Sequence, residues 1–113
     1  MNDTTSNDLT LIIHKLLRGL RISRGYSQNL VFHRIGVDVS KYESGKCVPK
    51  LNSINKLCNL YGISLSGFLA ICEECLNKRI DMLRAMEILK RWSDYDKVLH
   101  MAIEMITKEK KAN

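Results

Sequence analysis

The sequence predicts an all-α protein, and three observations predict it. Apolar residues recur at the helical period along nearly the whole chain, and no stretch alternates cleanly at period two. Isolated glycines at 25, 36, 45 and 62 punctuate that pattern where helices end. Hydrophobic residues make up 45% of the 113 and charged residues 27%, a balance that builds a core without disulfides or metals.

The first helix runs from about Asp8 to Arg24, after a flexible polar stretch over residues 1–7. Leu9, Ile12, Ile13, Leu16, Leu17 and Leu20 form one stripe along it. Gly25 ends it, and Ser27 caps a short second helix that carries Leu30 and Val31. Gly36 marks a tight turn, and a third short helix ends at Ser44 with Gly45 as its stop. Pro49 opens the next boundary, because proline is tolerated at a helix start. Leu51 to Tyr61 form a fourth helix, with Ile54, Leu57, Cys58 and Tyr61 on one face and Gly62 as its stop. Ser64 caps a fifth helix that carries Leu65, Phe68 and Leu69. Residues 73–111 read as an αα-hairpin of two helices, about Glu73 to Arg91 and then a segment carrying Tyr95, Val98, Leu99, Met101, Ile103, Met105 and Ile106. Ser93, Asp94 and Asp96 supply its break. Both apolar arcs cover about half the circumference, which suits a hairpin that also meets something else, either the domain or a second subunit.

Charge is uneven. The chain carries 18 Lys and Arg against 12 Asp and Glu, net +6. Residues 11–50 alone hold Lys15, Arg18, Arg21, Arg24, Arg34, Lys41, Lys46 and Lys50 against Asp38 and Glu43. A basic half joined to a near-neutral half suggests a polyanion-binding module with an appendage. No long apolar run spans a bilayer, and the start Met1-Asn2-Asp3-Thr4 has no signal-peptide pattern, so the expected location is the cytoplasm. The cysteines, Cys47, Cys58, Cys72 and Cys75, are then expected as thiols. Cys72-Glu-Glu-Cys75 has metal-ligand spacing, but no second CxxC or close His pair completes a zinc site. His14, His33 and His100 are scattered, and no nucleophile–base pair or phosphate loop appears. The expectation is a protein without catalytic residues, metal or cofactor.

Several cues recur in order: Arg21-Ile-Ser-Arg-Gly-Tyr-Ser-Gln-Asn-Leu-Val, Gly36-Val-Asp-Val-Ser-Lys-Tyr-Glu-Ser-Gly-Lys, Val48-Pro-Lys-Leu and Tyr61-Gly-Ile-Ser-Leu. Together they resemble the Cro/C1-type (Xre-like) helix-turn-helix family over about residues 9–72. The resemblance implies a five-helix, lambda-repressor-like DNA-binding domain over 8–72, with 73–111 as a dimerisation segment. It implies double-stranded DNA as partner, the third helix in the major groove and the second across the backbone. It places Gln28 against a phosphate. Ser40 and Lys41 fall where the family reads bases, and Lys46, Arg34 and Lys50 where cations meet phosphates. Val39 and Tyr42 should face the core. Arg21 and Glu43 should form a largely buried ion pair joining the first and third helices. One feature departs from the pattern: Gln28 to Glu43 spans fifteen residues instead of about eighteen. The shortened stretch lies near Gly36–Asp38, at the start of the recognition helix, where Asp38 is expected to cap and to repel a nearby phosphate. Direct readout should then be thin, with specificity leaning on DNA shape and dimer spacing.

The expected function is a sequence-specific, homodimeric transcriptional repressor acting by promoter occupancy. A second reading is an antitoxin or partner-controlled interaction protein, which would bind another protein through residues 73–111.

Overall fold

A computed structural model describes residues 4–112, with side-chain surroundings given for residues 8–91 and 102–108. Six helices follow one another: α1 Thr4–Ser23, α2 Gln28–Ile35, α3 Val39–Glu43, α4 Leu51–Tyr61, α5 Leu65–Leu76 and α6 Met82–Ala112. No strand occurs among the described residues.

α1 is the central element and packs against α3, α4, α5 and α6. Its stripe behaves as the 3.6-residue period requires: Ile13, Leu16, Leu17 and Leu20 are buried. Val31 of α2, Val39 of α3, Leu57, Cys58 and Tyr61 of α4, and Phe68, Ile71 and Cys72 of α5 close the core around it. α1 starts earlier than the sequence suggests. Residues 4–7 form its first turn, and residues 1–3 lie outside the described residues.

The largest difference from expectation lies after residue 72. The hairpin over 73–111 does not form. α5 runs on to Leu76, and the chain breaks at Asn77–Asp81. Lys78 there takes a left-handed φ of 60°, while the Asn77, Lys78 and Arg79 amides donate to the last carbonyls of α5. Asp81 then accepts the Arg84 amide at 2.8 Å and caps the new helix. α6 continues as a single 31-residue helix through Ser93, Asp94 and Asp96. Serine and aspartate lower helix propensity only modestly, so nothing at those positions compels a break. The apolar arc expected on Tyr95, Val98, Leu99 and Met101 lies outside the residues whose side chains are described.

The first turns of α6 dock on α1 and α5. Ala85 and Leu89 are fully buried. Met86 lies against Gly19, where a Cβ would collide with its sulfur. Gly19 therefore allows the close approach of α6, at the helix-propensity cost of a mid-helix glycine.

Candidate nucleic-acid interface

α2 and α3 form two sides of an exposed corner. Ser27 caps α2 by accepting the Leu30 amide at 3.0 Å. Gly36 closes it with φ 72°, a conformation that favours glycine, and its amide donates to the Phe32 carbonyl at 2.8 Å. Val37 and Val39 are both buried, so the turn between the helices is anchored from below. Asp38 starts α3 by accepting the Ser40 amide at 3.2 Å and the Ser40 hydroxyl at 2.6 Å. The Ser40 hydroxyl is the main reason the Asp38 carboxyl sits below the usual carboxylate range, aided by the Ser40 amide and the Lys41 charge.

α3 is only five residues long. Gly45 ends it, and the chain turns back so that the Lys46 and Cys47 amides both donate to the Lys41 carbonyl, at 3.1 and 3.3 Å. This fold-back places Lys46 beside the end of α3 near Lys41. Ser40, Lys41 and Lys46 are all exposed, as is Lys50, which precedes α4 without a side-chain capping bond. Arg34 is exposed in the last turn of α2. Val48 and Leu51 are exposed apolar residues interleaved with these cations. Val39 is buried, and Tyr42 packs partly against the core with its hydroxyl 3.5 Å from that of Ser53.

Beneath the corner sits a charged joint. Arg21 on α1 grips Glu43 on α3 at two points, Nε to Oε2 at 2.7 Å and the second guanidinium nitrogen to Oε1 at 2.8 Å. The side chains are 11% and 7% exposed. The fork matches the carboxylate as only Arg can. The hydrogen bond to Glu43 raises the Arg21 pKa against the opposing effect of burial. The remaining Arg21 nitrogen donates to the Tyr26 carbonyl at 2.8 Å, which fixes the α1–α2 loop. One residue thus ties α1, the loop and α3 together.

Gln28 stands differently from its expected outward pose. Its Nε2 donates to Glu43 Oε1 at 3.1 Å, so the amide belongs to the same joint. Arg18, one of the cations of residues 11–50 that the family motif does not mark, joins the corner. Its Nε lies 3.8 Å from Glu43, and its side chain is 61% exposed. The signal available was its i, i+3 spacing from Arg21, which puts both on the α1 face toward α3. Arg18 therefore adds a cation to the edge of the corner.

Other chemistry is sparse. Among the described residues, no group of three or more His, Cys, Asp or Glu is placed to hold a metal ion. Cys58, Cys72 and Cys75 are buried free thiols, and burial pushes the first two up to about 12, away from nucleophilic character. Cys47 is free and exposed. Among the described residues, no helix is long and apolar enough to cross a membrane.

No family model matches the chain, and no solved structure matches it. Among curated proteins it is 31% identical over 78 residues to the cryptic phage CTXphi transcriptional repressor RstR of Vibrio cholerae. The match covers 63% of this chain and 70% of RstR. At that identity over that share of RstR, and with an all-helical architecture, the chain belongs to the family of this phage transcriptional repressor.

Proposed function

We propose that the protein is a sequence-specific, DNA-binding transcriptional regulator that acts as a homodimeric repressor by occupying a promoter. The observation that carries the reading is the exposed cationic corner around a five-residue α3, braced from behind by the Arg21–Glu43 joint. Likeness to a transcriptional repressor supports the same reading. α3 enters the major groove and α2 lies across the backbone. Lys41 is the base-edge or phosphate donor nearest the groove. Arg18, Arg34, Lys46 and Lys50 contact phosphates and fix the register. Ser40, with its hydroxyl engaged by Asp38, contributes little direct readout. Gln28 acts through Glu43 as well as at the backbone. Half-site spacing and DNA shape supply much of the specificity that so short a helix cannot.

Five cations per protomer predict a steep salt dependence, with a log–log slope of about −4 to −5 per bound protomer. Lys41→Ala is expected to lower that slope by about 1 if Lys41 meets a phosphate. It instead relaxes one operator position, at about 1–3 kcal/mol, if Lys41 reads a base. Fluorescence anisotropy on duplex DNA across a salt series separates the two. Unchanged affinity, slope and site preference would remove Lys41 from the interface.

The exposed Ile103, Met105 and Ile106 on α6 favour a second reading, in which this helix binds a different protein that controls the regulator.

A further inference from the structure

Among the described residues, two of the exposed apolar surfaces lie at opposite ends. One is a groove of about 560 Å³ between α1 and α5. Leu9, Ile13, Leu69, Ala70 and Leu76 line it, and Glu73 supplies its acidic group. The other is the distal half of α6, where Ile103, Met105 and Ile106 are 51%, 63% and 55% exposed. Single exposed apolar residues are ordinary, but three within one turn of a projecting helix mark an interaction surface.

The chain cannot join these surfaces by itself. α6 begins with Met82 beside Ile12 and passes Gly19 at Met86. It therefore runs toward the C-terminal end of α1, away from Leu9 and Ile13. Its last buried residue among those described is Leu89. The 23 residues from 90 to 112 extend roughly 35 Å at 1.5 Å per residue. That reach is comparable to the two smaller extents of the protein, 34 and 25 Å.

We infer that the α1–α5 groove receives the distal half of α6 from a second copy of this chain, and that the exchange is reciprocal. The inference rests on the homodimeric part of the proposed function and names its surfaces. Charge agrees with the pairing. Glu73 is the acid that lines the groove, whereas the last turns of α6 carry Lys108, Lys110 and Lys111 in sequence. Ile103 and Ile106, one turn apart on one face, enter the groove, and Lys108 reaches its acidic edge. A reciprocal exchange buries the same surfaces on both copies and closes as a two-fold dimer. The α2–α3 corner lies on other elements and stays free for DNA.

Sedimentation equilibrium of the full-length protein tests the inference with two variants at exposed positions, which spare the core. Ile103→Glu/Ile106→Glu disables the helix, and Ala70→Arg fills the groove. The wild type is expected to be a dimer, and each variant alone is expected to dissociate at least 100-fold more readily with unchanged circular dichroism. Mixing the two variants should restore part of the association, because one intact helix then meets one intact groove. A dimer that ignores Ala70→Arg but is broken by the helix variant would overturn the inference in favour of direct α6–α6 pairing. A monomeric wild type at 100-fold the concentration used for DNA binding, on the order of 100 μM, would overturn it outright. Duplex binding measured on the same samples separates the outcomes. Retention of DNA by such a monomer leaves the DNA-binding reading intact, and its loss removes that reading too.

Discussion

Replacing Glu43 with alanine is expected to destabilise the protein by about 3–5 kcal/mol, the range for stranding one member of a buried ion pair. The structure explains why the value should not be smaller. Glu43 accepts two bonds from Arg21, at 2.7 and 2.8 Å, and one from Gln28 at 3.1 Å. Hydrogen bonds to charged groups are worth about 1.5–3 kcal/mol each when a partner is removed. After the substitution the Arg21 guanidinium keeps only the Tyr26 carbonyl, in surroundings that leave its side chain 11% exposed. Solvent screening therefore rescues little. For a domain of this size, 3 kcal/mol corresponds to a fall in Tm of about 12 °C or more. Urea denaturation of Glu43→Ala, Arg21→Ala and the Arg21→Ala/Glu43→Ala double variant gives the coupling directly. The double variant should be less destabilised than the two single changes summed, because it leaves no charge unpaired. A loss below about 1 kcal/mol for Glu43→Ala, or simple additivity, would refute the argument.

Two further outcomes follow from packing and burial. Gly19→Ala should destabilise the wild type, because the new methyl meets the Met86 sulfur, yet it should stabilise a Met86→Ala background by up to about 1 kcal/mol through helix propensity. The same sign in both backgrounds, read from urea midpoints, would contradict the α1–α6 contact. Cys58 and Cys72, pushed up to about 12 from an ordinary 9.0, stay protonated in the folded state while unfolded thiols ionise. The unfolded chain then binds fewer protons, so stability is full below about pH 9 and falls as pH rises toward 12, by up to about 1.4 kcal/mol per pH unit per thiol. Denaturation between pH 8 and 11 should show that slope, and Cys58→Ala/Cys72→Ala should flatten it; a flat wild-type profile would count against it.

Legibility in the sequence followed the range of the forces involved. Ser27, Gly36, Gly45 and Ser64 act on backbone groups within a few residues, so both ends of α2, the end of α3 and the start of α5 could be read from local chemistry. α4 has the bounds its apolar face and flanking Pro49 and Gly62 suggest. The break at Asn77–Asp81 was not legible, because a lysine rather than a glycine takes the left-handed position. Conversely, Ser93-Asp94 looked like a boundary and is not one, since polar residues permit a break without forcing it. At the candidate interface, the pairing of Arg21 with Glu43 followed from the family pattern. The place of Arg18 and the engagement of Gln28 depend on how α1 packs on α3, which no local rule encodes.

In vitro selection from a random duplex library, with purified full-length protein at near-physiological salt, asks whether the protein recognises a DNA sequence as a two-fold dimer. An enriched inverted repeat is the predicted result, with a half-site separation near one helical turn or a multiple of it. Failure to retain any duplex above background would contradict the account.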